Sequence, residues 1–163
     1  MSTWSALLGD LAAMPSEWER ALHLFPPDRL RWRPEAWGGC PGETFSALEQ
    51  ACHLRDIERD GYHVRIERMI SESNPSLVSL DGYEIARERR YETAELSEAL
   101  ADFREARGLT LQRLGGLDGA TLERAGEFAE YGRLTLRALV HYLRSHDLQH
   151  LACLQWLAGK VAS

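Results

Sequence analysis

The segment Leu139-Val-His-Tyr-Leu-Arg-Ser-His-Asp-Leu-Gln-His150 sets His146 and His150 four residues apart inside an otherwise apolar helical pattern. At roughly 100° per residue the two imidazoles stand one above the other, about 40° apart around the axis. Leu139, Leu143 and Leu157 share that face, so both rings project into the core stripe. Burying two polar rings there costs free energy unless each has a strong partner. A divalent metal is one such partner, because neutral imidazole nitrogen is a common ligand. The spacing alone is weak: with six histidines in the chain, a four-apart pair arises easily by accident. Core placement and a third ligand must carry the reading.

Bundle cores collect metal ligands from facing helices, so the third ligand belongs on another helix. His53 is the best candidate. His63 lies ten residues later and about 80° around the axis, too far to share a metal with it. His23 ends the first helical pattern, and His141 is rotated by about 140° from His146, toward the surface. Taken singly, each histidine also has an ordinary structural reading, His53 included. Glu49, Asp56 and Asp60 fall on roughly the same side of the helix as His53. One of them, Asp56 first, could complete the shell, orient a ligand or act as a base; the alternative is a polar helix edge making salt bridges. Cys153 also faces inward, as a small apolar residue or a further ligand. His146-Asp-Leu-Gln-His150 is similar to the zincin helix His-Glu-x-x-His, but Asp147 is one methylene short of the usual base. Leu151 to Ser163 contains no His, Asp or Glu to be a downstream ligand, which argues against a zincin protease.

Four amphipathic stretches have to position these residues. The first covers Trp4 to Leu24, with Pro15 expected to kink or split it. A Pro/Gly/Trp-rich connection, Phe25 to Gly42, forbids a regular helix. Ser46-Ala-Leu-Glu49 has the capping-box pattern and starts a second helix running toward Ser71, weakened at Gly61. Ser71 to Leu77 is a break, Thr93 to Leu114 a third helix closed by Gly115-Gly116, and Asp118 to Gly132 a crossover. The last helix spans Leu134 to Leu157. No alternating strand stands out. The pattern predicts an all-α four-helix bundle with long ordered loops, in a single domain over residues 1–163.

A net charge of −6 and a pI near 5.5 argue against a nucleic-acid partner. The densest basic cluster, Arg87-Glu-Arg-Arg90, is flanked by acids and reads as a solvated helix face. No window approaches the ~20 apolar residues that cross a bilayer, so no membrane partner is expected. The opening Met1 to Asp10 lacks a basic stretch followed by a long apolar run, so no signal peptide is expected. Three cysteines (Cys40, Cys52 and Cys153) without a Cys-x-x-Cys spacing suggest reduced thiols in a cytoplasmic protein.

Four stretches in order resemble the DinB-like superfamily of DinB/YfiT-like metalloenzymes, over nearly the whole chain. Phe25-Pro-Pro-Asp-Arg-Leu-Arg-Trp-Arg-Pro34 is similar to the family's Leu-Pro-x-Glu-x-Leu-x-Trp-Arg-Pro loop. Ser46-Ala-Leu-Glu-Gln-Ala-Cys-His-Leu-Arg-Asp-Ile-Glu58 resembles its Ser-x-x-Glu-x-x-x-His-Leu-x-Asp-x-Glu helix start. Leu100 to Leu114 looks like its third helix, and Tyr131 to His150, the most specific piece, like its last. The resemblance implies a four-helix bundle holding a divalent metal on His53, His146 and His150. Nickel or zinc is the first expectation and iron or manganese the second. Three imidazoles leave positions open to water or substrate, as in catalytic rather than structural sites.

The resemblance further implies a small-molecule substrate and a homodimer. It points first to a metal-dependent thiol S-transferase, in which the metal activates a low-molecular-weight thiol as its thiolate. The alternatives are a metal-dependent hydrolase that activates water, and a non-enzymatic metal-binding or interaction module with a closed ligand shell. Arginines 29, 31 and 33 could serve a thiol pocket, with Trp32 and Trp37 as walls.

Overall fold

In the computed structural model, which describes residues 3–129 and 131–163, the chain begins with α1 (Thr3–Leu22). Met1, Ser2 and Glu130 lie outside the described residues, so the opening segment considered for a signal peptide is described only from its third residue. Pro15 is buried inside α1 without splitting it. The connection after α1 holds only a single 3-10 turn, Pro27–Arg29. The expected capping box then forms: the Ser46 hydroxyl accepts the Glu49 N–H at 3.4 Å, and the Glu49 carboxylate accepts the Ser46 N–H at 2.8 Å. This cap fixes the start of α2 (Ala47–Asp56) and with it the facing of every residue that follows.

The second long helix reaches Ser71 as expected, but it is not uniform. A π-helical segment, Ile57–Tyr62, joins α2 to α3 (His63–Ser71) and contains Gly61. Such segments recur at functional sites, because the widened turn re-aims side chains. After β1 (Ser76–Leu77) come α4 (Gly82–Glu88), α5 (Leu96–Gly115) and the single-turn α6 (Gly119–Leu122). A hairpin of β2 (Ala125–Phe128) and β3 (Gly132–Thr135) then leads into α7 (Leu136–Ala162).

The all-α expectation therefore needs correction, since a three-stranded sheet in the order β1-β2-β3 sits at one end of the helices. The first pair is parallel, Ser76 opposite Glu127 and Leu77 opposite Phe128; the second is antiparallel, Ala125 opposite Thr135 through Phe128 opposite Gly132. Strands of two and four residues are too short to show an alternating pattern. Gly126 is required where the sheet meets α3: a Cβ there would lie 2.6 Å from Met69 Sδ and 2.9 Å from the Pro75 carbonyl.

The bundle itself is a closed ring in which α1 packs on α5, α5 on α2, α2 on α7 and α7 on α1. Its core falls into two apolar halves. One gathers Leu7, Leu11, Ile66 and the α7 residues Leu136, Leu139, Val140 and Leu143; the other gathers Met14, Trp18, Phe103, Leu154 and Leu157. Between them, at mid-height, lies a buried polar layer containing Gln50, His53, Glu58, Arg107, Asp147 and His150. Polar groups at that depth must be mutually satisfied or must hold something.

The cysteine expectation is also corrected. Cys40 and Cys153 form a disulfide with their Cα atoms 5.5 Å apart, leaving Cys52 as the buried free thiol. The long connection folds back across α7, where Trp37 stacks on Trp156 with ring centroids 5.8 Å apart. That fold-back joins two cysteines 113 residues apart in sequence, a pairing no local motif announces. Cys153 is thereby removed from the list of metal ligands. No helix is long and apolar enough to cross a membrane among the described residues.

Candidate metal centre

His53 on α2 and His146 and His150 on α7 converge across the α2–α7 contact. One ligand nitrogen from each lies within 4.8 Å of the others. His53 Nε2 and His146 Nε2 are 3.2 Å apart, and the ring centroids of His53 and His150 are separated by 4.5 Å. His53 and His150 are buried; His146 is partly open. Gly82, at the start of α4, covers the His53 ring so closely that a Cβ there would lie 2.6 Å from its Cε1 atom. Only a glycine fits over that imidazole.

Burial dominates the electrostatics. It lowers the pKa of His53 to about 4, with Asp56 pulling the other way. It holds His146 and His150 well below the ordinary histidine range, helped by the charges of the neighbouring rings and, at His146, of Arg65 and Arg107. All three rings are therefore neutral at pH 7, the state that offers a lone pair.

For His150 the tautomer follows from its neighbour. The Gln50 amide nitrogen donates to the Glu43 and Phe45 carbonyls at 3.0 and 3.4 Å, which turns its oxygen toward His150 Nδ1 at 2.5 Å. Nδ1 accordingly carries the proton and Nε2 the lone pair. His150 Nε2 is completely buried and has no hydrogen-bond partner among the described residues. An orphaned acceptor aimed at two other imidazole nitrogens is what a cation site requires.

A carboxylate also stands at the cluster, though not one of the three considered from the sequence. Glu43, in the loop before α2, places Oε2 at 3.4 Å from His150 Nε2 and Oε1 at 3.9 Å from His53 Nε2. Its side chain is 31% exposed, so it sits at the mouth rather than in the core. A cavity of about 170 Å³ opens there, lined by His53, His146, Glu43, Tyr62, Arg65 and Phe128 among others. Glu43 left no signal in the sequence because it lies in an irregular Pro/Gly-rich segment with no periodicity to aim it.

The other acids are engaged elsewhere. Glu49 closes the capping box and takes a two-pronged pair from Arg33 at 3.0 and 2.6 Å. Asp56 is 1% exposed and is held by Arg55, Arg89 and the Tyr91 hydroxyl. Despite burial, these hydrogen bonds keep its pKa below the ordinary aspartate value. Asp60 pairs with Arg89 at 2.6 Å. Asp147 turns away from the histidines to pair with Arg107 on α5, as does Glu58. His63 lies 3.0 Å from the Ala106 carbonyl and the Thr110 hydroxyl, away from the cluster, while His23 and His141 are exposed. Arg31 and Arg33 bond to Glu92, Ala94 and Glu49, Arg29 pairs with Asp28, and Trp32 and Trp37 pack into the core half around Trp18. None of the five lines the cavity.

A profile of the DinB superfamily matches residues 10–154. The chain belongs to the DinB superfamily. Among solved structures, this DinB-superfamily chain is similar to YfiT from Bacillus subtilis, with a TM-score of 0.83 at 20% identity, over 99% of this chain and 90% of that one. YfiT is described as a probable metal-dependent hydrolase with an unusual four-helix bundle topology, and at this identity the likeness establishes a shared fold. No curated protein matches the sequence.

Proposed function

We propose that this DinB-superfamily protein is a divalent-metal-dependent hydrolase of a small molecule, with the metal held by His53, His146 and His150. The observation that carries the reading is the Glu43 carboxylate, 3.4 Å from the orphaned His150 Nε2 and open to the cavity. A divalent ion on three imidazoles supplies Lewis acidity, acidifying water and polarising a substrate oxygen. Glu43 takes the proton of the attacking water at a carboxylate oxygen and returns it to the leaving group. Tyr62 and Phe128 wall the cavity and exclude bulk water, while Arg65, donating to the Val78 carbonyl at 3.1 and 2.9 Å, brings positive charge to its lining. Nickel or zinc remains the first choice of ion, with iron and manganese behind.

Transfer of a low-molecular-weight thiol would use the same three histidines. It is the weaker reading, because it must seat both a thiol and an electrophile where hydrolysis seats one substrate and a water, and a cavity of about 170 Å³ is already below the roughly 300–1,000 Å³ of typical small-molecule sites. The arginines considered for a thiol pocket are also occupied elsewhere. A closed structural site is disfavoured by the open cavity and by the loss of Cys153 to a disulfide. Homodimerisation stays in the proposal through the family resemblance. A cytoplasmic setting stays too, without the support that three reduced thiols would have lent it.

The test is Glu43→Gln, assayed in metal-loaded protein against a panel of activated esters and amides. Retained metal with hydrolysis reduced at least tenfold supports the base role. Metal lost along with activity would make Glu43 a ligand. Activity in wild type that appears only with an added thiol and an electrophile would replace hydrolysis with S-transfer.

A further inference from the structure

Arg107 is 1% exposed and uses all five of its N–H donors. Nε and Nη2 donate to Glu58 at 2.9 and 2.8 Å, Nη1 and Nη2 to Asp147 at 2.9 and 3.0 Å, and Nη1 to the Leu11 carbonyl at 3.0 Å. One carboxylate comes from the segment that directly continues α2, and the other from α7 itself. Glu58 lies in the π-helical segment five residues after His53, and Asp147 directly follows His146 on α7. Leu11 is on α1 and Arg107 on α5, so one guanidinium ties the whole ring of helices at the level of the polar layer. Thr110, one turn further along α5, adds a 2.5 Å hydrogen bond to Glu58 Oε1.

We propose that Arg107 is a positioning residue of the metal centre: by gripping Glu58 and Asp147 together it sets α2 against α7 so that His53 faces His146 and His150. Apolar side chains in this layer would let the two helices slide or rotate a little past each other. A planar guanidinium with two bidentate partners permits one register only. Buried ion networks of this kind add little net stability over well-packed apolar replacements. Register therefore accounts for this one better than stability does. The chemical significance rests on the metal-centre reading, whereas the geometry can be tested without any metal.

Two variants make the test: Arg107→Lys, which keeps the charge but not the fork, and the apolar triple Arg107→Met, Glu58→Met, Asp147→Leu. In metal-free protein, ring-proton NOEs are read between His53 and His146, between His53 and His150, and between His146 and His150, whose centroids are 5.3, 4.5 and 4.4 Å apart. The proposal expects the two cross-helix NOEs to weaken or vanish while the His146–His150 NOE, within one helix, persists. Cobalt(II) titration of the same folded variants should show an affinity at least tenfold weaker than wild type. Unchanged cross-helix NOEs in a folded variant overturn the proposal, whatever the metal does. A wild type that shows the NOEs but binds no cobalt(II) overturns the metal reading instead and leaves the NOEs to judge Arg107. If neither variant folds, Arg107 is scaffold rather than a positioning residue, and the proposal fails.

Discussion

Gln50 Oε1 and His150 Nδ1 meet at 2.5 Å across the α2–α7 contact, three residues before His53 on one helix and four residues after His146 on the other. The same amide donates to the Glu43 carbonyl and reaches Cys153 Sγ at 3.3 Å. One side chain thus orients a donor imidazole and fastens the loop that carries the carboxylate.

Gln50→Leu should leave the helices intact and free the His150 ring to adopt either tautomer. The expected consequence is a loss of divalent-metal affinity of roughly 10–100-fold, the usual effect of removing an outer hydrogen-bond partner. Competition against a chromophoric chelator measures it. Wild-type affinity in a folded Gln50→Leu protein would show that the amide does not orient the ligand.

Acid should destabilise the metal-free protein through the same histidines. Their folded pKa values lie below the unfolded value of about 6.5, so between the two the unfolded chain binds protons that the folded chain does not. Stability is then fully present above pH 6.5 and falls as the pH drops. For His53, whose folded pKa is about 4, the loss by pH 4 amounts to roughly 3 kcal/mol. Urea unfolding at pH 7, 6, 5 and 4 should show that decline, and His53→Ala should flatten it; parallel profiles for the two proteins would remove His53 as a source.

The Cys40–Cys153 link closes a loop of 113 residues, which in the chain-entropy picture restrains the unfolded state by about 4–5 kcal/mol. Reductant should therefore lower the unfolding midpoint clearly, and non-reducing peptide mapping should recover the Cys40–Cys153 pair. Cys52, its thiol pushed up to about 11 by burial, should resist alkylation in the native protein at pH 8. Efficient labelling of all three cysteines without denaturant or reductant would contradict the pairing.

Much of this arrangement is legible in the sequence. Ser46 and Glu49 announce the start of α2, and helical arithmetic places His146 and His150 on one inward face. What escapes it depends on contacts between segments far apart in the chain. Ser76–Leu77 becomes a strand only because Glu127 and Phe128 pair with it. Glu43 reaches the histidines only because Gln50 holds its carbonyl and its loop is fastened to α7. Asp147 invites comparison with a zincin glutamate, yet Arg107 on another helix claims it, and no local spacing predicts that partner. Asp56 is similar: its place beside His53 on the helix suggests a role at the site, but Arg55, Arg89 and Tyr91 take up its oxygens.

The central claim is that the three histidines hold one divalent ion, and elemental analysis of protein purified without a polyhistidine tag tests it most directly. Wild type and His63→Ala, whose ring lies against Ala106 and Thr110, should each carry about one divalent ion per chain after reconstitution, and His53→Ala close to none. Equal metal content in wild type and His53→Ala, or a wild type that takes up no ion, would contradict it.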